Sequence, residues 1–324
     1  MPNLICLASW NADLISHVAR PVERGETVLA SAFEILPGGK GSNAAIAAAR
    51  QGARVAVLAR VGDDDFGRMA IDLWHRERID VRAVEVARGE RSGVAQIQVF
   101  DDGDNSIAVY RGAGTGLGAA HADKSSAVIA ASKLVMASNE VPVACTAAAF
   151  ATAHAAGVTT LLNPAPAQPI DDELLALIDV LTPNEGELLA LAEMDDADVD
   201  HVTGTSSSGS ATSHNARLGA AAHTLLARGV GAVVVTLGAA GCRIYARQQA
   251  PVDLAGYQVK VADTIGAGDT FTGTLAASLV AGLPLLNAVR RANAAAAMSV
   301  RGHGAITAMP TLRELDAWLV EHAG

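Results

Sequence analysis

The sequence predicts an α/β fold, with a mostly parallel central sheet flanked by helices and a small additional β-sheet. Short apolar runs alternate with longer segments of helical period along most of the 324 residues, which is typical of βαβ units. Half of the residues are hydrophobic and 18% are charged, which excludes a disordered chain. Aromatic residues are scarce, so Ala, Val and Leu must fill the interior, as they do where helices pack on a parallel sheet. We expect one domain over residues 1–324.

The predicted elements alternate in chain order. Buried strands are predicted at Leu4–Ala8, Val55–Ala59, Leu134–Ala137, Val158–Leu162, Val180–Leu181 and Ala232–Leu237. Helices between them are predicted at Ser42–Gln51, Phe66–Arg78, Val143–Ala156, Asp171–Ile178 and Ala216–Arg228. Two further helices, Asp269–Ala281 and Leu285–Val300, are rich in Ala and should pack closely, because small side chains let helix backbones approach each other.

Three segments interrupt this alternation. Thr27–Leu36 and Gly93–Tyr110 have the pattern of antiparallel strands, the second with a hairpin turn at Asp101–Asn105. Such strands can form a separate small sheet that serves as a lid over a site, and the alternative is an edge hairpin without that role. Residues 195–215 are rich in Ser, Thr and Gly, which predicts a flexible surface loop inserted within the domain.

Charge and cysteine usage exclude several classes of protein. The formal net charge is −10 and there is no long basic run, so we expect no nucleic-acid partner. Cys6, Cys145 and Cys242 form no metal or disulfide pattern, which indicates buried thiols in a reducing compartment. No apolar run reaches the roughly 20 residues needed to cross a bilayer, and Met1–Ala8 lacks a leader pattern. We therefore expect no membrane partner and a cytoplasmic location.

The strongest chemical signal is the segment Asp263–Phe271, which reads DTIGAGDTF and directly precedes a predicted helix. Small residues at Gly266, Ala267 and Gly268 let the backbone turn tightly and point N–H groups at an anion, and the helix adds its positive end. A carboxylate such as Asp269 would repel a phosphate bound at this turn. Its expected role is therefore to accept the proton of a hydroxyl that attacks the phosphate. The alternative is a glycine-rich turn in which Asp269 only caps the helix.

A second glycine-rich turn, GGKGSN at residues 38–43, leads into another predicted helix. It lacks the spacing of a Walker-type phosphate loop, but Lys40 and Asn43 beside a tight turn can donate to several hydroxyls. Asn11 and Asp13 follow the first strand, at the end where open α/β sheets bind ligands, and could hydrogen-bond the vicinal hydroxyls of a sugar. Purely structural turns and helix caps remain the alternatives for both motifs.

Three further turns follow predicted strands at the same edge of the sheet. Asn184 and Glu187 stand three residues apart and could orient water around Mg²⁺, although a helix-capping arrangement is the alternative. The segment NPAP at 163–166 stops a strand rigidly. The segment TLGAAG at 236–241 leaves backbone accessible for a nucleotide. Together these turns predict a single ligand crevice.

These motifs, in this order, resemble the ribokinase-type, or phosphofructokinase-B-type, carbohydrate kinases. The resemblance runs from about Leu4 to Trp318. The segments that carry it are Asn11–Asp13, GGKGSN at 38–43, Glu140, NPAP at 163–166, TPNE at 182–185, TLG at 236–238 and DTIGAGDTF at 263–271. It implies the ribokinase-like fold with a β-sheet lid from segments 13–36 and 92–111, commonly shared between two subunits, and hence a homodimer through the lid.

The resemblance also implies roles for single residues. Asp269 matches the catalytic base, and the backbone of Gly266, Ala267 and Gly268 matches its anion hole. The sugar-binding positions are matched by Asn11, Asp13, Gly39, Lys40, Asn43 and Glu140, with Ala95, Ile97 and Val109 of the lid facing the sugar. The positions that contact ATP are matched by Thr236, Gly238, Gly241 and Asn293, and Asn184 and Glu187 match the element that positions Mg²⁺ through water.

A monovalent-cation site, for K⁺, is implied near the nucleotide. Its ligands would be Asp263 and Ile265, together with backbone carbonyls of the 299–304 stretch at Ser299, Gly302 and Gly304. The sequence departs from the family at Ala308, where ribokinases usually offer a serine hydroxyl, so Thr307 or water would have to replace it. Trp10 also departs from the usual aliphatic residue, and its bulk should either be buried at the lid junction or reshape the sugar pocket.

The implied reaction is ATP-dependent phosphorylation of the primary hydroxyl of a small sugar, with D-ribose giving D-ribose 5-phosphate. Asn11, Asp13, the GGKGSN turn and Glu140 favour ribose. The alternatives are a related kinase of fructose, deoxyribose or a nucleoside, and a non-catalytic sugar- or nucleotide-binding regulator. A dinucleotide-dependent oxidoreductase is excluded, because no G-x-G-x-x-G follows the first strand.

Overall fold

A computed structural model describes residues 1–193 and 211–322. The strands are β1 (Leu4–Leu7), β2 (Asn11–Val18), β3 (Ala32–Gly38), β4 (Val55–Gly62), β5 (Asp80–Ala87), β6 (Gly93–Phe100), β7 (Asn105–Tyr110), β8 (Leu134–Ser138), β9 (Thr159–Asn163), β10 (Val180–Leu181), β11 (Ala232–Thr236), β12 (Gly241–Ala246) and β13 (Val252–Ala255). The helices are α1 (Lys40–Arg50), α2 (Asp65–Arg76), α3 (Ala119–Lys124), α4 (Ser126–Ala130), α5 (Val143–Ala155), α6 (Asp172–Leu175), α7 (Glu185–Glu193), α8 (Ala211–Ala227), α9 (Ala267–Val280), α10 (Leu285–Ser299) and α11 (Leu312–Glu321).

The described residues form a large sheet with the strand order β13-β12-β11-β10-β9-β8-β1-β4-β5. Every pair from β11 to β5 is parallel, whereas β12 and β13 are added antiparallel at one edge. Parallel neighbours require crossover connections, and the helices that make them cover both faces of the sheet. The predicted α/β architecture is therefore confirmed.

Among the described residues, two large hydrophobic clusters form layers on opposite faces of the large sheet, and a small third cluster surrounds Leu315 of α11. Alternate residues of β1 point to opposite faces, so that Leu4 and Cys6 join one layer while Ile5 and Leu7 join the other. The first layer contains the apolar sides of α1, α2, α9 and α10, and the second contains those of α3, α5 and α8. Burial on both faces explains why the central strands are continuous apolar runs in the sequence.

Helices α1 and α9 pack closely, as their small residues predict. A side chain at Gly273 of α9 would overlap the carbonyl of Ala44 and come within 2.7 Å of Ala47 Cβ in α1. Since α1 begins in the GGKGSN turn and α9 begins beside Asp269, this packing brings the two glycine-rich turns together.

A separate small sheet has the strand order β3-β2-β6-β7. The turn between β6 and β7 lies where the hairpin was predicted, although Asn105 already belongs to β7. The strand predicted at Thr27–Leu36 begins only at Ala32, and β2 was not predicted as a strand. The two predicted segments are not simply antiparallel, because β2 lies between them and pairs with β6 in parallel.

The predicted loop at 195–215 is only partly covered by the structure. Residues 194–210 lie outside the described residues, and residues 211–215 form the first turns of α8, so the loop prediction is wrong for these five residues. Helix α8 begins at Ala211, five residues before the helix that was predicted from Ala216. In the two described ranges, no helix combines the length and the apolar character that a membrane span requires.

Candidate active site

The predicted site residues gather at the carboxyl-terminal edge of the parallel strands. The segments after β1, β8, β9, β10 and β11 all emerge at this edge, where α1 and α9 also begin. A hydrogen bond across 226 residues of sequence joins the two helix starts, from Asn43 Nδ2 of α1 to Asp269 Oδ2 of α9 at 2.8 Å. The two motifs that the sequence singled out therefore belong to one crevice, as predicted.

Asp269 is a buried carboxylate in the first turn of α9, with 6% of its surface exposed. Burial raises its pKa to about 6, and the negative charges of Glu140 and Glu187 add to that rise. The positive charge of Lys40 and the hydrogen bond from Asn43 act in the opposite direction, lowering the pKa. A carboxyl group with a pKa near 6 is ionised at neutral pH yet basic enough to take a proton from a hydroxyl.

The turn before Asp269 is built to present backbone N–H groups. Gly266 has φ 76°, and a side chain there would lie 2.8 Å from Ala305 Cα, so only glycine fits. Thr270 N donates to the carbonyl of Gly266 at 2.8 Å, which closes the first turn of the helix. The N–H groups of Gly268 and Asp269 have no acceptor within the described residues, which leaves them for an anion at the positive end of α9.

Glu140 is held at the start of the other glycine-rich turn. Its Oε2 accepts hydrogen bonds from the backbone N–H of Lys40 at 2.8 Å and from Ser9 Oγ at 2.6 Å. Ser9 Oγ in turn accepts the N–H of Gly41 at 3.0 Å. Sequence reasoning missed Ser9, although its place directly after β1, at the ligand-binding end of the sheet, was a usable signal.

Asn11 and Asp13 lie on β2, where two glycines make room for them. A side chain at Gly38 would overlap the Asp13 carboxylate, and one at Gly93 would overlap Asn11 Oδ1. Burial raises the pKa of Asp13 to about 6, with a further rise from the charge of Glu140. The two carboxylates are therefore close enough for the charge of one to act on the other, and their binding of a sugar stays a prediction.

The three lid residues predicted to face the sugar share the face of Asp13. Asp13, Ala95 and Val109 are direct partners across β2, β6 and β7, and partners in a sheet project to the same side. Ile97 stands in the next row of that face, beside Ile15. Ala95 is buried, whereas Val109 is 57% exposed at the open edge of the sheet.

Trp10 is buried in the core rather than lining a pocket. It is 5% exposed and meets Trp74 of α2 edge-on, with ring centroids 5.9 Å apart. Trp74 Nε1 donates to Ser42 Oγ at 2.9 Å, which ties this pair to the start of α1. Of the two expectations for Trp10, burial at the lid junction is confirmed.

Asn184 and Glu187 form a reciprocal cap at the start of α7. Asn184 Oδ1 accepts the N–H of Glu187, and Glu187 Oε2 accepts the N–H of Asn184, both at 2.8 Å. The capping alternative is therefore confirmed. Since the Glu187 charge raises the pKa of Asp269, this carboxylate also acts on the crevice, and its Oε1 carries no hydrogen bond from the described residues.

The predicted nucleotide positions lie around the end of β11. Thr236 N donates to the carbonyl of Pro183 at 2.9 Å, which joins this turn to the Asn184 turn. Gly238 has φ 56° and open space where a side chain would stand. Gly241 packs against the backbone of β13, and Asn293 Nδ2 donates to the carbonyl of Ala255 at 2.8 Å. Packing alone thus accounts for Gly241 and Asn293, and their contact with a nucleotide stays a prediction.

The residues predicted to bind a monovalent cation lie on two loops that touch. Asp263 bridges them, because its carboxylate accepts the N–H of Ile265 and of Gly304, each at 2.9 Å. Of the three carbonyls predicted in the 299–304 stretch, those of Gly302 and Gly304 accept no hydrogen bond from the described residues, and neither do the carbonyls of the predicted ligands Asp263 and Ile265. The carbonyl of Ser299 accepts the N–H of Gly302 at 3.4 Å.

The departure at Ala308 is visible in this loop. The Ala308 methyl packs 3.0 Å from where a side chain would stand at Gly302, whereas Thr307 Oγ1 lies beside Gly304. A hydroxyl is therefore present near the predicted cation ligands, one residue before the usual position. No cluster of three or more His, Cys, Asp or Glu side chains that could hold a metal occurs within residues 1–193 and 211–322.

The polar contacts beneath the crevice were also missed from the sequence. Asn163 Nδ2 donates to Thr272 Oγ1 of α9 at 3.3 Å, and Thr182 Oγ1 lies 3.4 Å from the same atom. These buried contacts tie the ends of β9 and β10 to the helix that carries Asp269. The only sequence signal was the polar residue that ends each of these apolar strands.

Comparisons with known proteins agree with this geometry. The model of the pfkB family carbohydrate kinases matches residues 1–312. The ribokinase of Haemophilus influenzae is 35% identical over 320 residues, which cover 99% of both chains, and the deoxyribokinase of Salmonella typhi is 31% identical over 98% of both. The solved structure of Arabidopsis thaliana ribokinase complexed with ribose and ATP superposes with a TM-score of 0.88 at 28% identity, covering 98% of both chains. The chain belongs to the pfkB family of carbohydrate kinases.

Proposed function

We propose that this carbohydrate kinase transfers the γ-phosphoryl group of ATP to the primary hydroxyl of D-ribose and forms D-ribose 5-phosphate. The observation that carries the proposal is the position of Asp269. It is a buried, basic carboxylate that touches Asn43 of the sugar-side turn and stands at the helix end that offers free N–H groups to an anion. The Haemophilus ribokinase and the ribose and ATP complex of the Arabidopsis enzyme support the choice of substrates.

The sugar would lie between the small sheet and the GGKGSN turn. Asp13 and Glu140 offer carboxylate oxygens to its hydroxyls, while Asn11, Lys40 and Asn43 offer donors. The unbonded Oε1 of Glu140 and the ammonium of Lys40, which has no hydrogen bond within the described residues, are free for this task. Ala95, Ile97 and Val109 would cover the carbon face of the ring, so that the small sheet acts as a lid.

In the reaction, the primary hydroxyl oxygen attacks the γ-phosphorus and its proton passes to Asp269. The bond between the γ-phosphorus and the bridging oxygen breaks, and ADP leaves. The N–H groups of Gly266 and Gly268 at the start of α9 would stabilise charge on the transferred group, because they are fixed before the reaction begins. The N–H of Ala267, the third predicted donor, is held by the Thr264 carbonyl at 3.3 Å and is the weakest of the three. Closure of the lid would keep water from competing with the sugar.

Metal ions and the nucleotide complete the proposal. Thr236, Gly238, Gly241 and Asn293 would contact ATP, and the free Oε1 of Glu187 suits an ion that keeps its water shell, as Mg²⁺ does. Mg²⁺ would neutralise phosphate charge. Potassium fits the carbonyl oxygens of Asp263, Ile265, Gly302 and Gly304, with Thr307 in place of the missing hydroxyl at 308. The engaged carbonyl of Ser299 makes it the weakest of the predicted ligands.

The second candidate is a kinase of deoxyribose, which the similarity to a deoxyribokinase favours. Fructose and nucleosides are the further alternatives within the family. A non-catalytic regulator is disfavoured, because a pure binding protein gains nothing from a buried carboxylate whose pKa is raised to about 6.

The assembly and location are part of the same proposal. The outer face of the small sheet, opposite Asp13, exposes Ile35 and Tyr110 and borders a cavity of about 790 Å³ that also includes Phe66 of α2. Apolar surface of this kind suits a second copy of the lid, and hence a homodimer. The free buried thiols of Cys6, Cys145 and Cys242 suit the reducing cytoplasm.

A substrate panel tests the proposed function. ATP-dependent phosphorylation is measured for ribose, deoxyribose, fructose and several nucleosides, each with and without K⁺. The proposal expects the highest kcat/KM with ribose. A higher value with deoxyribose would support the second candidate, and turnover of no compound would support the regulator. Stimulation by K⁺ would support the cation site, and identical rates with and without K⁺ would remove it.

A further inference from the structure

Ser9 connects three elements of the crevice through one hydroxyl group. It follows β1 directly, it donates to Glu140 Oε2 after β8 at 2.6 Å, and it accepts the N–H of Gly41 in α1 at 3.0 Å. Both the donor and an acceptor site of the hydroxyl are thus used. The two partners lie 131 and 32 residues away in sequence, so no local turn explains the arrangement.

Glu140 is oriented by two donors on the same oxygen. Besides Ser9 Oγ, the N–H of Lys40 reaches Oε2 at 2.8 Å. Hydrogen bonds to an ionised oxygen are strong, and two of them on Oε2 restrict rotation of the carboxylate. Oε1 accepts no hydrogen bond from the described residues, so it is available to accept one from a sugar hydroxyl.

The backbone around Ser9 is packed so that its position is well determined. A side chain at Gly39 would lie 2.6 Å from the Ser9 carbonyl oxygen, and one at Gly41 would lie 2.7 Å from Ser9 N. The Ser9 carbonyl also accepts the N–H of Ser42 at 3.2 Å. Ser9 is therefore in van der Waals contact with the turn that it bridges to Glu140.

We propose that Ser9 is a positioning residue for sugar binding: it fixes the Glu140 carboxylate so that Oε1 points to a sugar hydroxyl. Ser9 itself does not touch the sugar in this arrangement, and its effect passes through Glu140. The inference rests on the proposed function, since it assigns Glu140 to the sugar. It predicts that Ser9 matters for the affinity of the sugar and not for that of ATP.

The competing interpretation is that Ser9 only stabilises the glycine-rich turn through Gly41. Loss of the hydroxyl would then leave the Gly41 N–H without its partner and disturb the turn. This effect would be the same whether the Glu140 carboxylate is present or has been removed. The two interpretations differ in their dependence on Glu140, which a double-mutant cycle measures.

The experiment compares Ser9→Ala, Glu140→Ala and the double variant with the wild type. The affinity for the sugar that the wild type phosphorylates best is measured by calorimetry, and the KM for ATP is measured in the same preparations. Ser132→Ala is the control, because it removes a buried hydroxyl that donates to the Ile129 carbonyl at 2.7 Å and lies before the start of β8, at the opposite end of that strand from Glu140. The melting temperature of each variant is recorded.

The proposal expects Ser9→Ala to weaken sugar binding about tenfold, in line with the loss of one hydrogen bond to a charged group. The KM for ATP should change less than twofold, Ser132→Ala should bind the sugar as the wild type does, and Ser9→Ala should add nothing once Glu140 is Ala. A further tenfold loss in the Glu140→Ala background, or unchanged sugar affinity in Ser9→Ala, would overturn the role of Ser9 alone. If the wild type bound no sugar of the panel, the proposed function would fail and this inference with it.

Discussion

At the scale of single residues, the environment of Asp269 determines the chemistry. The carboxylate is buried, which raises its pKa, and Lys40 and Asn43 hold that rise to a value of about 6. Without the positive charge of Lys40 the pKa of Asp269 would be higher, so the carboxyl group would stay protonated up to a higher pH and could not act there as the proposed base. The sugar-side turn therefore has two tasks, because it would bind the substrate and it also adjusts the base.

This balance predicts the pH dependence of turnover. A base is active when ionised, so kcat should be low under acidic conditions and rise with pH through about 6. In Lys40→Met the pKa of Asp269 should be higher, which moves the midpoint of the rise to higher pH. The measurement is kcat against pH at saturating substrates. Lys124→Met on α3 is the matched control and should keep the wild-type midpoint. An unshifted midpoint in Lys40→Met would show that another group limits the rate.

The sequence predicted Asp269, Lys40 and Asn43 because each belongs to a short local motif. Ser9 and the contact between Asn163 and Thr272 could not be predicted in this way, since their partners lie 131 and 109 residues away. Such contacts exist only once the strands are ordered side by side. The predicted lid residues Ala95 and Val109 needed the family resemblance, because no sequence pattern specifies which face of a strand meets a ligand.

At the scale of secondary-structure elements, the contact between α1 and α9 positions the site. Each helix starts at one glycine-rich turn, and Gly273 lets the two backbones touch. Any separation of the helices would pull Asp269 away from Asn43, whose amide donates to it at 2.8 Å. We therefore expect stability and activity to respond together to a larger residue at this contact.

Gly273→Ala tests this expectation. The added methyl would overlap the Ala44 carbonyl and crowd Ala47, so we expect a loss of about 1–3 kcal/mol in the free energy of unfolding, together with a lower kcat. Gly219→Ala in α8 is the control, because its nearest neighbour, Tyr245, lies 4.0 Å away. That variant should gain about 0.5–1 kcal/mol, as alanine favours a helix interior over glycine. Denaturant unfolding measures both values. Equal effects of the two substitutions would argue against close packing at Gly273.

Three of the strands that sequence reasoning missed share a physical feature. The central strands are buried on both faces and form continuous apolar runs, so their existence was clear from composition. Strands β2, β5 and β13 are only partly buried, and their polar residues hide the pattern. Ladder hydrogen bonds to neighbouring strands stabilise these edge and lid strands, and a single sequence does not reveal such pairing.

At the scale of the whole molecule, the small sheet has two faces with different surroundings. Asp13 and Ala95 line the face that we assign to the sugar, whereas Leu14, Ile35 and Tyr110 occupy the outer face with its cavity of about 790 Å³. Val109, at the open edge of the sheet, also borders this cavity. This cavity does not include Asp269. Pairing of two outer faces would cover apolar surface and fix both lids at once.

This arrangement predicts a dimer that depends on the outer face. The wild type should sediment as a dimer, and Ile35→Glu should shift it towards the monomer, because a charge would enter the apolar interface. Val320→Glu on α11 places the same charge on a strongly exposed valine outside the small sheet and should leave the dimer intact. Sedimentation velocity over a range of concentrations distinguishes the species. A wild-type monomer, or a dimer unaffected by Ile35→Glu, would contradict the assignment.

The most direct test of the whole account is the turnover of Asp269→Asn with ribose and ATP, measured beside ribose binding. The substitution keeps the size of the side chain and a partner for Asn43, but removes the base. We expect ribose affinity within a few fold of the wild type and a kcat lower by about two to four orders of magnitude, the usual contribution of a positioned base. Turnover close to that of the wild type would show that Asp269 is not the base, and would contradict the mechanism proposed for this kinase.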